Sequence, residues 1–175
     1  MTFQPVHLAR RFFTSLGARG ISPSDEAWAH SKLSAPERRL FDRMSRIDRR
    51  HALDVARRVE VSIGTLDESL HGVVFAAALL HDVGKSAADL GTYGRVVATM
   101  SGMVGGREFA ELWQRKTGFT RKVGLYLRYG EIGADMLRMA GSDPFVVAWS
   151  TEHHMLTEDW TVPHDAAEVL AAADG

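Results

Sequence analysis

Residues 73–85 read VVFAAALLHDVGK, an apolar run that ends in a histidine, an aspartate, a glycine and a lysine. A segment that is apolar nearly all round is typical of a buried helix, so the sequence predicts a central helix over residues 68–82. On either side, apolar residues recur near the 3.6-residue period of a helix, and no alternating run is bounded by hairpin turn signals. The sequence therefore predicts an all-α fold, a single bundle of about seven to nine helices.

The composition limits the kinds of site that the chain can build. Its 175 residues suit one domain, and 21 Lys and Arg against 22 Asp and Glu leave a formal net charge of −1. A balance near neutrality gives no electrostatic reason to expect nucleic acid as a partner. The chain has eight histidines and no cysteine. This excludes disulfides, thiolate zinc sites, iron–sulfur clusters and a cysteine nucleophile, so any metal has to be held by nitrogen and oxygen.

Nothing in the sequence predicts a membrane protein. No run approaches the roughly 18 unbroken apolar residues that a membrane span requires. The first residues, MTFQPVHLARRFF, reach arginines before any apolar signal-peptide core is built. We therefore expect a cytoplasmic protein with no membrane partner.

The doublet His81-Asp82 is unusual at the end of an apolar helix, because a buried imidazole and a buried carboxylate need partners or a metal. At a helix end both side chains can reach one cation. Gly84 then allows a tight backbone exit, and Lys85 places a positive charge beside the pair. The alternative is a buried histidine bonded to its neighbour, followed by an ordinary helix end at which Lys85 interacts with the helix dipole.

The segment AALLHDVGK resembles the signature of the HD-domain superfamily of metal-dependent phosphohydrolases, whose members are all-helical. The resemblance implies one divalent cation held by an upstream histidine, the His-Asp doublet and a distant aspartate. His51 in DRRHALDVARRV and Asp174 in EVLAAADG match the two outer positions. The implied metal ligands are thus His51, His81, Asp82 and Asp174, and mixed nitrogen–oxygen ligation suits Mn, Fe, Co, Ni, Zn or Mg.

The resemblance also implies a division of the chain. It covers residues 36–175, which we interpret as one HD-type metal-binding domain. Residues 1–35 are expected to form an N-terminal helical extension packed on that core. This extension has three possible roles: it completes the core, covers the site or forms the surface of a homodimer.

Two further segments are similar to variants within the superfamily. YGEIGADML resembles the HPEIGA-type segment of HD-GYP phosphodiesterases, whose histidine helps to bind a second metal, but Tyr129 stands at that position. A phenol with a pKa of about 10 is a poor ligand at neutral pH, which argues against a full two-metal cluster. His153-His154 resembles the paired histidines of the same group, yet MLTEDWTVP replaces the GYP segment. In size and order the chain also resembles small diadenosine-polyphosphate hydrolases.

The implied chemistry is hydrolysis of a nucleotide or another small phosphorylated molecule by a metal-activated water. Asp82 would orient that water and accept its proton. Lys85 would pair with a phosphate oxygen as negative charge builds there. The structural alternative for Lys85 is a solvated lysine at a helix end.

The late histidines and a basic region supply the remaining candidates. His153 lies four residues after Trp149 and so on the same helix face, which favours an inward side chain that protonates the leaving oxygen or binds a second metal. His154 would bind substrate, although at least one of the two histidines is expected to face solvent or cap a helix. Arg128 ends a basic stretch over residues 95–128 that would form a phosphate-binding rim, and a solvated helix face is the commoner explanation of such charge.

Two other functions stay open at this point. One is a non-catalytic regulatory or nucleotide-binding module that retains the metal as structure, which the tyrosine at position 129 and the missing GYP segment favour. The other is a helical interaction domain with no metal, which requires the four ligand positions to match by coincidence.

Overall fold

The computed structural model describes residues 20–88, 90 and 110–175. In these ranges the chain forms eight complete α-helices, a helical stretch over 110–114 and three short 3-10 turns, with no strand. The predicted all-α fold of seven to nine helices is confirmed for this part of the chain. None of the helices in these ranges is both long and apolar enough to cross a membrane.

The helices are numbered in chain order. They are α1 (Pro23–Ser31), α2 (Ala35–Arg43), α3 (Arg46–Ser62), α4 (Glu68–Leu80), α5 (Gly118–Leu127), α6 (Tyr129–Ala140), α7 (Pro144–Glu152) and α8 (His164–Asp174). The 3-10 turns span Ile63–Thr65, Val83–Ala87 and Thr157–Asp159. Most of the expected N-terminal extension, residues 1–19, lies outside the described residues, as do Arg95 and Arg107 of the basic stretch.

Several helices begin where the sequence places capping residues. The hydroxyl of Ser22 accepts a hydrogen bond at 3.1 Å from the backbone N–H three residues further on, and α1 has a proline in its first turn. At α2 the carboxylate of Glu37 accepts from the backbone N–H of Ser34 at 2.9 Å, as the capping-box spacing predicts. Asp67 caps α4 by accepting from the N–H two residues further on at 2.8 Å. These caps fix the starts of three helices that contribute to the core.

Helix α4 is the centre of the bundle. All seven residues from 74 to 80 are buried, and the helix contacts α2, α3, α7 and α8. Helix α1 joins the same core through Ala29, as does Leu33 in the link that follows it. The ring of Trp28 lies edge-on to that of Phe75, with centroids 5.8 Å apart. Burial of this apolar surface places the C-terminal end of α4, and with it His81, in the interior.

Gly84 lies where the turn after α4 meets α6. A Cβ atom at this position would lie 1.9 Å from the carbonyl oxygen of Tyr129 and 2.6 Å from the backbone nitrogen of Gly133. The chain does leave α4 in a tight 3-10 turn, Val83–Ala87, but Gly84 is not among the glycines with a positive φ. Glycine is required here by the close approach of α6, and that approach brings Tyr129 to the end of α4.

Candidate metal centre

Three separate parts of the bundle supply the four predicted ligands, which meet in the folded chain. His51 is on α3, His81 and Asp82 directly follow α4, and Asp174 is the last residue of α8. The Nε2 of His51 lies 2.9 Å from Oδ1 of Asp174 and 4.0 Å from Oδ2 of Asp82. The Nε2 of His81 lies 3.4 Å from Oδ2 of Asp82 and 3.8 Å from Oδ1 of Asp174. The fold therefore gathers these four side chains into one group, called here the His-Asp cluster.

The apolar faces of two helices aim the outer members of the cluster inward. On α3, Val55 and Val59 are buried one and two turns after His51, so the histidine lies on the core face of its helix. On α8, Leu170 is buried one turn before Asp174, so the carboxylate lies on the core face of its helix. The helical period that buries the apolar residues thus also determines where these two polar side chains lie.

A contact that sequence reasoning missed holds the last turn of α8. The guanidinium of Arg58, on α3, donates a hydrogen bond to the backbone carbonyl oxygen of Ala173. Carbonyls in the last turn of a helix lack partners within the helix and form the negative end of its dipole. Arg58 therefore ties α8 to α3 next to Asp174 and keeps that carboxylate beside His51. No local pattern distinguishes Arg58 from the other arginines of α3.

The His-Asp cluster has a buried side and an open side. The side chains of His81 and Asp82 are each 2% exposed. Those of His51 and Asp174 are 23% and 17% exposed. Solvent or a ligand therefore reaches the cluster past His51 and Asp174.

Two buried atoms of the cluster have no hydrogen-bond partner among the residues that the structure describes. The Nδ1–H of His81 donates to the carbonyl oxygen of Ala78 at 3.0 Å, and since a carbonyl only accepts, the neutral ring keeps its lone pair on Nε2. This Nε2 and Oδ1 of Asp82 are both buried without a hydrogen bond. An unpaired buried polar group costs about 1–3 kcal/mol. Ligation of a cation would satisfy both atoms. The alternative, a histidine bonded to its neighbour, is not what this geometry shows, because Nε2 of His81 lies 3.4 Å from Oδ2 of Asp82 without a hydrogen bond.

Charge keeps Asp82 ionised. Burial favours the neutral acid, but the ammonium of Lys85, 2.5 Å from Oδ2, and the ring of His81 outweigh burial and hold the pKa of Asp82 well below its usual range. Burial likewise disfavours a charged His81, yet the carboxylates of Asp82 and Asp174 outweigh it and raise the pKa of His81. The ammonium of Lys85 and a proton on His81 therefore offset the negative charge of the carboxylates of the cluster.

Lys85 lies against the cluster rather than in solvent. Its side chain is 13% exposed and pairs with Asp82. The ammonium also lies over the ring of Tyr129, 4.7 Å from the ring centroid. The interpretation of Lys85 as a solvated helix-end residue is therefore wrong, and its interaction with phosphate stays a prediction.

His153 points inward and is held at both ring nitrogens. Its side chain is 3% exposed. Its Nδ1–H donates to the carbonyl oxygen of Trp149 at 3.1 Å, so the Nε2 lone pair accepts from the hydroxyl of Tyr129 at 3.2 Å. Burial, together with the neighbouring rings of His81 and His154, lowers the pKa of His153 from 6.5 to about 3. At neutral pH the ring is uncharged, and its Nε2 carries no proton to give to a leaving group.

His154 and Arg128 lie around this inner part of the site. His154 is exposed, and its ring centroid is 4.1 Å from that of His153. Arg128 lies between α5 and α6, where its Nε donates to Oε2 of Glu131 at 2.7 Å. A carboxylate thus already offsets the charge of Arg128. Substrate binding by either residue stays a prediction.

Two overlapping sets of potential ligand atoms meet at His81. One set is His51, His81 and Asp174, and the other is His81, Asp82 and His153. Within each set the atoms lie within 4.8 Å of one another. Because Nε2 is the one atom that His81 can offer, the two sets cannot both use this histidine at the same time.

A third set of potential ligands lies nearer the start of the chain, at Glu26, His30 and Asp42. The Nε2 of His30 lies 2.8 Å from Oδ1 of Asp42. Glu26 pairs with Arg49, with 3.1 Å between Oε1 and Nη1. The His30–Asp42 hydrogen bond and the Glu26–Arg49 ion pair account for the grouping without a metal.

Comparisons of this chain with protein-family models, with curated proteins and with solved structures gave no match. Support for a function therefore comes from the residues and their geometry.

Proposed function

We propose that this protein is a metal-dependent phosphohydrolase of the HD-domain type, which cleaves a phosphoester bond of a nucleotide or another small phosphorylated substrate. The observation that carries the proposal is the meeting of His51, His81, Asp82 and Asp174 around two buried atoms that lack hydrogen bonds within the described part of the chain. Four residues up to 123 positions apart in the chain would not be expected to meet in this way in a merely structural core, since buried polar groups are normally paired.

The residues present fit a divalent cation. Two imidazoles and two carboxylates form a nitrogen–oxygen set without sulfur, which suits Mn, Fe, Co, Ni, Zn or Mg. The unpaired atoms, Nε2 of His81 and Oδ1 of Asp82, are the donors that a cation would satisfy. When bound, a divalent cation supplies Lewis acidity that polarises a phosphoryl oxygen and makes hydroxide available near neutral pH.

The side chains around the cluster have separate roles in the proposed reaction. A water oxygen attacks phosphorus while Asp82, ionised at neutral pH, takes up the proton of that water. The phosphoester P–O bond breaks, and the leaving oxygen takes a proton from solvent on the open side of the site. Lys85 offsets the negative charge that builds on the phosphoryl group. His154 and Arg128 are the proposed contacts to the rest of the substrate.

The structure narrows the role of His153 within this proposal. Sequence reasoning made it a candidate proton donor, but with a pKa of about 3 it is neutral at pH 7. Its Nε2 accepts the Tyr129 hydroxyl. We therefore assign His153 to positioning rather than to protonation of the leaving group.

A non-catalytic module that keeps the metal as structure is the second candidate. The observation that favours it is the pairing of Lys85 with Asp82 at 2.5 Å, which occupies both a proposed phosphate ligand and the proposed base. Such a protein would bind the metal and a nucleotide without turnover.

The experiment compares metal binding with turnover in the same preparation. Metal-stripped protein is titrated with Mn²⁺ and Co²⁺ while its melting temperature is measured, and the loaded protein is tested on a panel of nucleotides and small phosphoesters. Asp82→Asn should abolish metal stabilisation and turnover together. Asp135→Asn is the matched control, because Asp135 is exposed and pairs with Arg138.

The outcomes separate the candidates. Metal-dependent turnover that is lost in Asp82→Asn supports the hydrolase. Metal stabilisation with no turnover across the panel favours the non-catalytic module. A wild-type protein whose melting temperature does not respond to any divalent cation contradicts both.

A further inference from the structure

The second set of potential ligands contains a side chain that is already engaged. Of His81, Asp82 and His153, the last is held at both ring nitrogens. Its Nδ1 donates to the Trp149 carbonyl and its Nε2 accepts from the Tyr129 hydroxyl at 3.2 Å. A cation and a hydroxyl proton compete for the same Nε2 lone pair.

We infer that Tyr129 restricts the centre to a single divalent cation by holding Nε2 of His153 in a hydrogen bond. This inference rests on the proposed function, because it presupposes that a first cation binds at the His-Asp cluster. Tyr129 is thus a positioning residue that determines how many metal ions the site takes.

Because the two sets share His81, a second cation depends on His153, the residue that Tyr129 engages. A first cation at His51, His81, Asp82 and Asp174 uses Nε2 of His81. A second cation would then rely on Oδ1 of Asp82, which is unpaired, and on Nε2 of His153, which lies 3.8 Å from that oxygen. With His153 engaged by Tyr129, one carboxylate oxygen of this set is left among the described residues, too few protein ligands for a transition metal.

Packing keeps Tyr129 in this place. It is the first residue of α6, and its carbonyl oxygen lies where a side chain on Gly84 would be. Lys85 lies over its ring at 4.7 Å from the centroid. The backbone and the ring are therefore held by the same turn that carries the HDVGK segment, and the hydroxyl reaches His153 across the site.

The test counts metal ions in the 175-residue chain and in variants of it. Metal-stripped protein is titrated with Co²⁺ by calorimetry, and bound metal is counted by equilibrium dialysis. Wild type should bind one Co²⁺ per chain. Tyr129→Phe, which removes the hydroxyl alone, should bind a second and weaker Co²⁺. Tyr126→Phe, which removes the hydroxyl of the neighbouring tyrosine on α5, is the matched control and should bind one.

A double variant assigns the second ion. Adding His153→Gln to Tyr129→Phe should remove the second binding event and leave the first. As a readout independent of stoichiometry, the ¹⁵N resonance of His153 Nε2 should stay in place when wild type takes up Zn²⁺ and shift when Tyr129→Phe takes up its second equivalent. Circular dichroism and thermal melting establish that each variant is folded.

Each result decides the matter. Two ions in wild type, or one ion in folded Tyr129→Phe, overturns the inference while leaving the proposed function intact. A second event that survives His153→Gln also overturns it. Binding of no Co²⁺ by wild type overturns both the inference and the proposed function.

Discussion

The ammonium of Lys85 lies 2.5 Å from Oδ2 of Asp82, so the most buried carboxylate of the candidate site has its counter-ion three residues further along the chain. The 3-10 turn Val83–Ala87 creates this pairing, because it folds the chain back directly after α4. Lys85 and a bound cation would both be positive charges near the same carboxylate, so they would compete for Asp82.

Lys85→Met should strengthen metal binding and weaken the metal-free fold. Removing the ammonium leaves Asp82 buried without its partner, which should lower the free energy of unfolding by about 3 kcal/mol in the presence of a chelator. Without a competing positive charge, the affinity for Mn²⁺ should rise by about tenfold or more. Turnover should nevertheless fall if Lys85 binds phosphate. Urea unfolding, Mn²⁺ titration and product release measure the three effects.

Lys116→Met is the control for this prediction, because Lys116 is exposed and follows the helical stretch at 110–114. It should change none of the three quantities. A Lys85→Met protein with unchanged Mn²⁺ affinity would show that the lysine and the metal do not compete for Asp82.

Arg58→Ala should weaken metal binding without touching a ligand. The lost hydrogen bond to the Ala173 carbonyl frees the last turn of α8, and Asp174 is then no longer held beside His51. Loss of a group that orients a ligand typically costs about 10–100-fold in metal affinity. Arg58→Lys should restore part of the loss, since an ammonium can still donate to the carbonyl.

The comparison for Arg58 is Arg39→Ala, which removes an exposed arginine from α2. Its Co²⁺ affinity should match that of wild type. Equal affinity in Arg58→Ala would mean that other contacts suffice to hold the last turn of α8.

Two glycine-to-alanine changes should shift stability in opposite directions. At Gly84 the new Cβ would lie 1.9 Å from the Tyr129 carbonyl oxygen, a backbone atom that cannot move aside without shifting α6. We expect a loss of about 3 kcal/mol or more. At Gly72, inside α4, a new Cβ meets nothing within 4 Å, and the better helix propensity of alanine should add about 0.5–1 kcal/mol. Chemical denaturation measures both, and a tolerated Gly84→Ala would contradict the close packing of α6 on the turn.

The sequence predicted features that depend on local patterns and missed those that depend on tertiary contacts. The burial of α4 and the caps at Ser34 and Asp67 follow from periodicity and from side chains within three residues of one another. Tyr129 and His153 are 24 residues apart, and Arg58 and Ala173 are 115 apart. Such pairs depend on how whole helices pack, and Arg58 donates to a backbone carbonyl, which has no signature in a sequence.

Tyr129 illustrates the difference between a departure from a pattern and its consequence. In the sequence, Tyr129 stands where the HPEIGA-type segment has a histidine, and a phenol is a poor metal ligand at neutral pH. The structure adds that its hydroxyl engages His153 and that its carbonyl excludes a side chain at residue 84.

The metal-free protein should lose stability on either side of about pH 6.5, for two different reasons. The pKa of His153 is about 3 in the fold against 6.5 for a free histidine. The unfolded chain therefore binds more protons between those values, and stability falls as the pH drops through this window. The pKa of His81 is raised, so its contribution is complete below pH 6.5 and is lost as the pH rises through the folded-state value. From pH 7 to pH 5 the His153 effect amounts to about 2 kcal/mol.

Urea unfolding in a chelating buffer at pH 5, 6 and 7 checks this prediction. His153→Gln should reduce the fall in stability on the acid side, and the remainder comes in part from His154, whose pKa is also lowered by burial. His164→Gln, a change at an exposed histidine of α8, should leave the fall as it is in wild type. A bound metal requires His81 to be neutral, so Mn²⁺ affinity should increase with pH over the range in which His81 loses its proton. If the free energy of unfolding of His153→Gln changes as steeply as that of wild type between pH 7 and pH 5, then His153 is not the buried neutral group that its contacts with Trp149 and Tyr129 indicate.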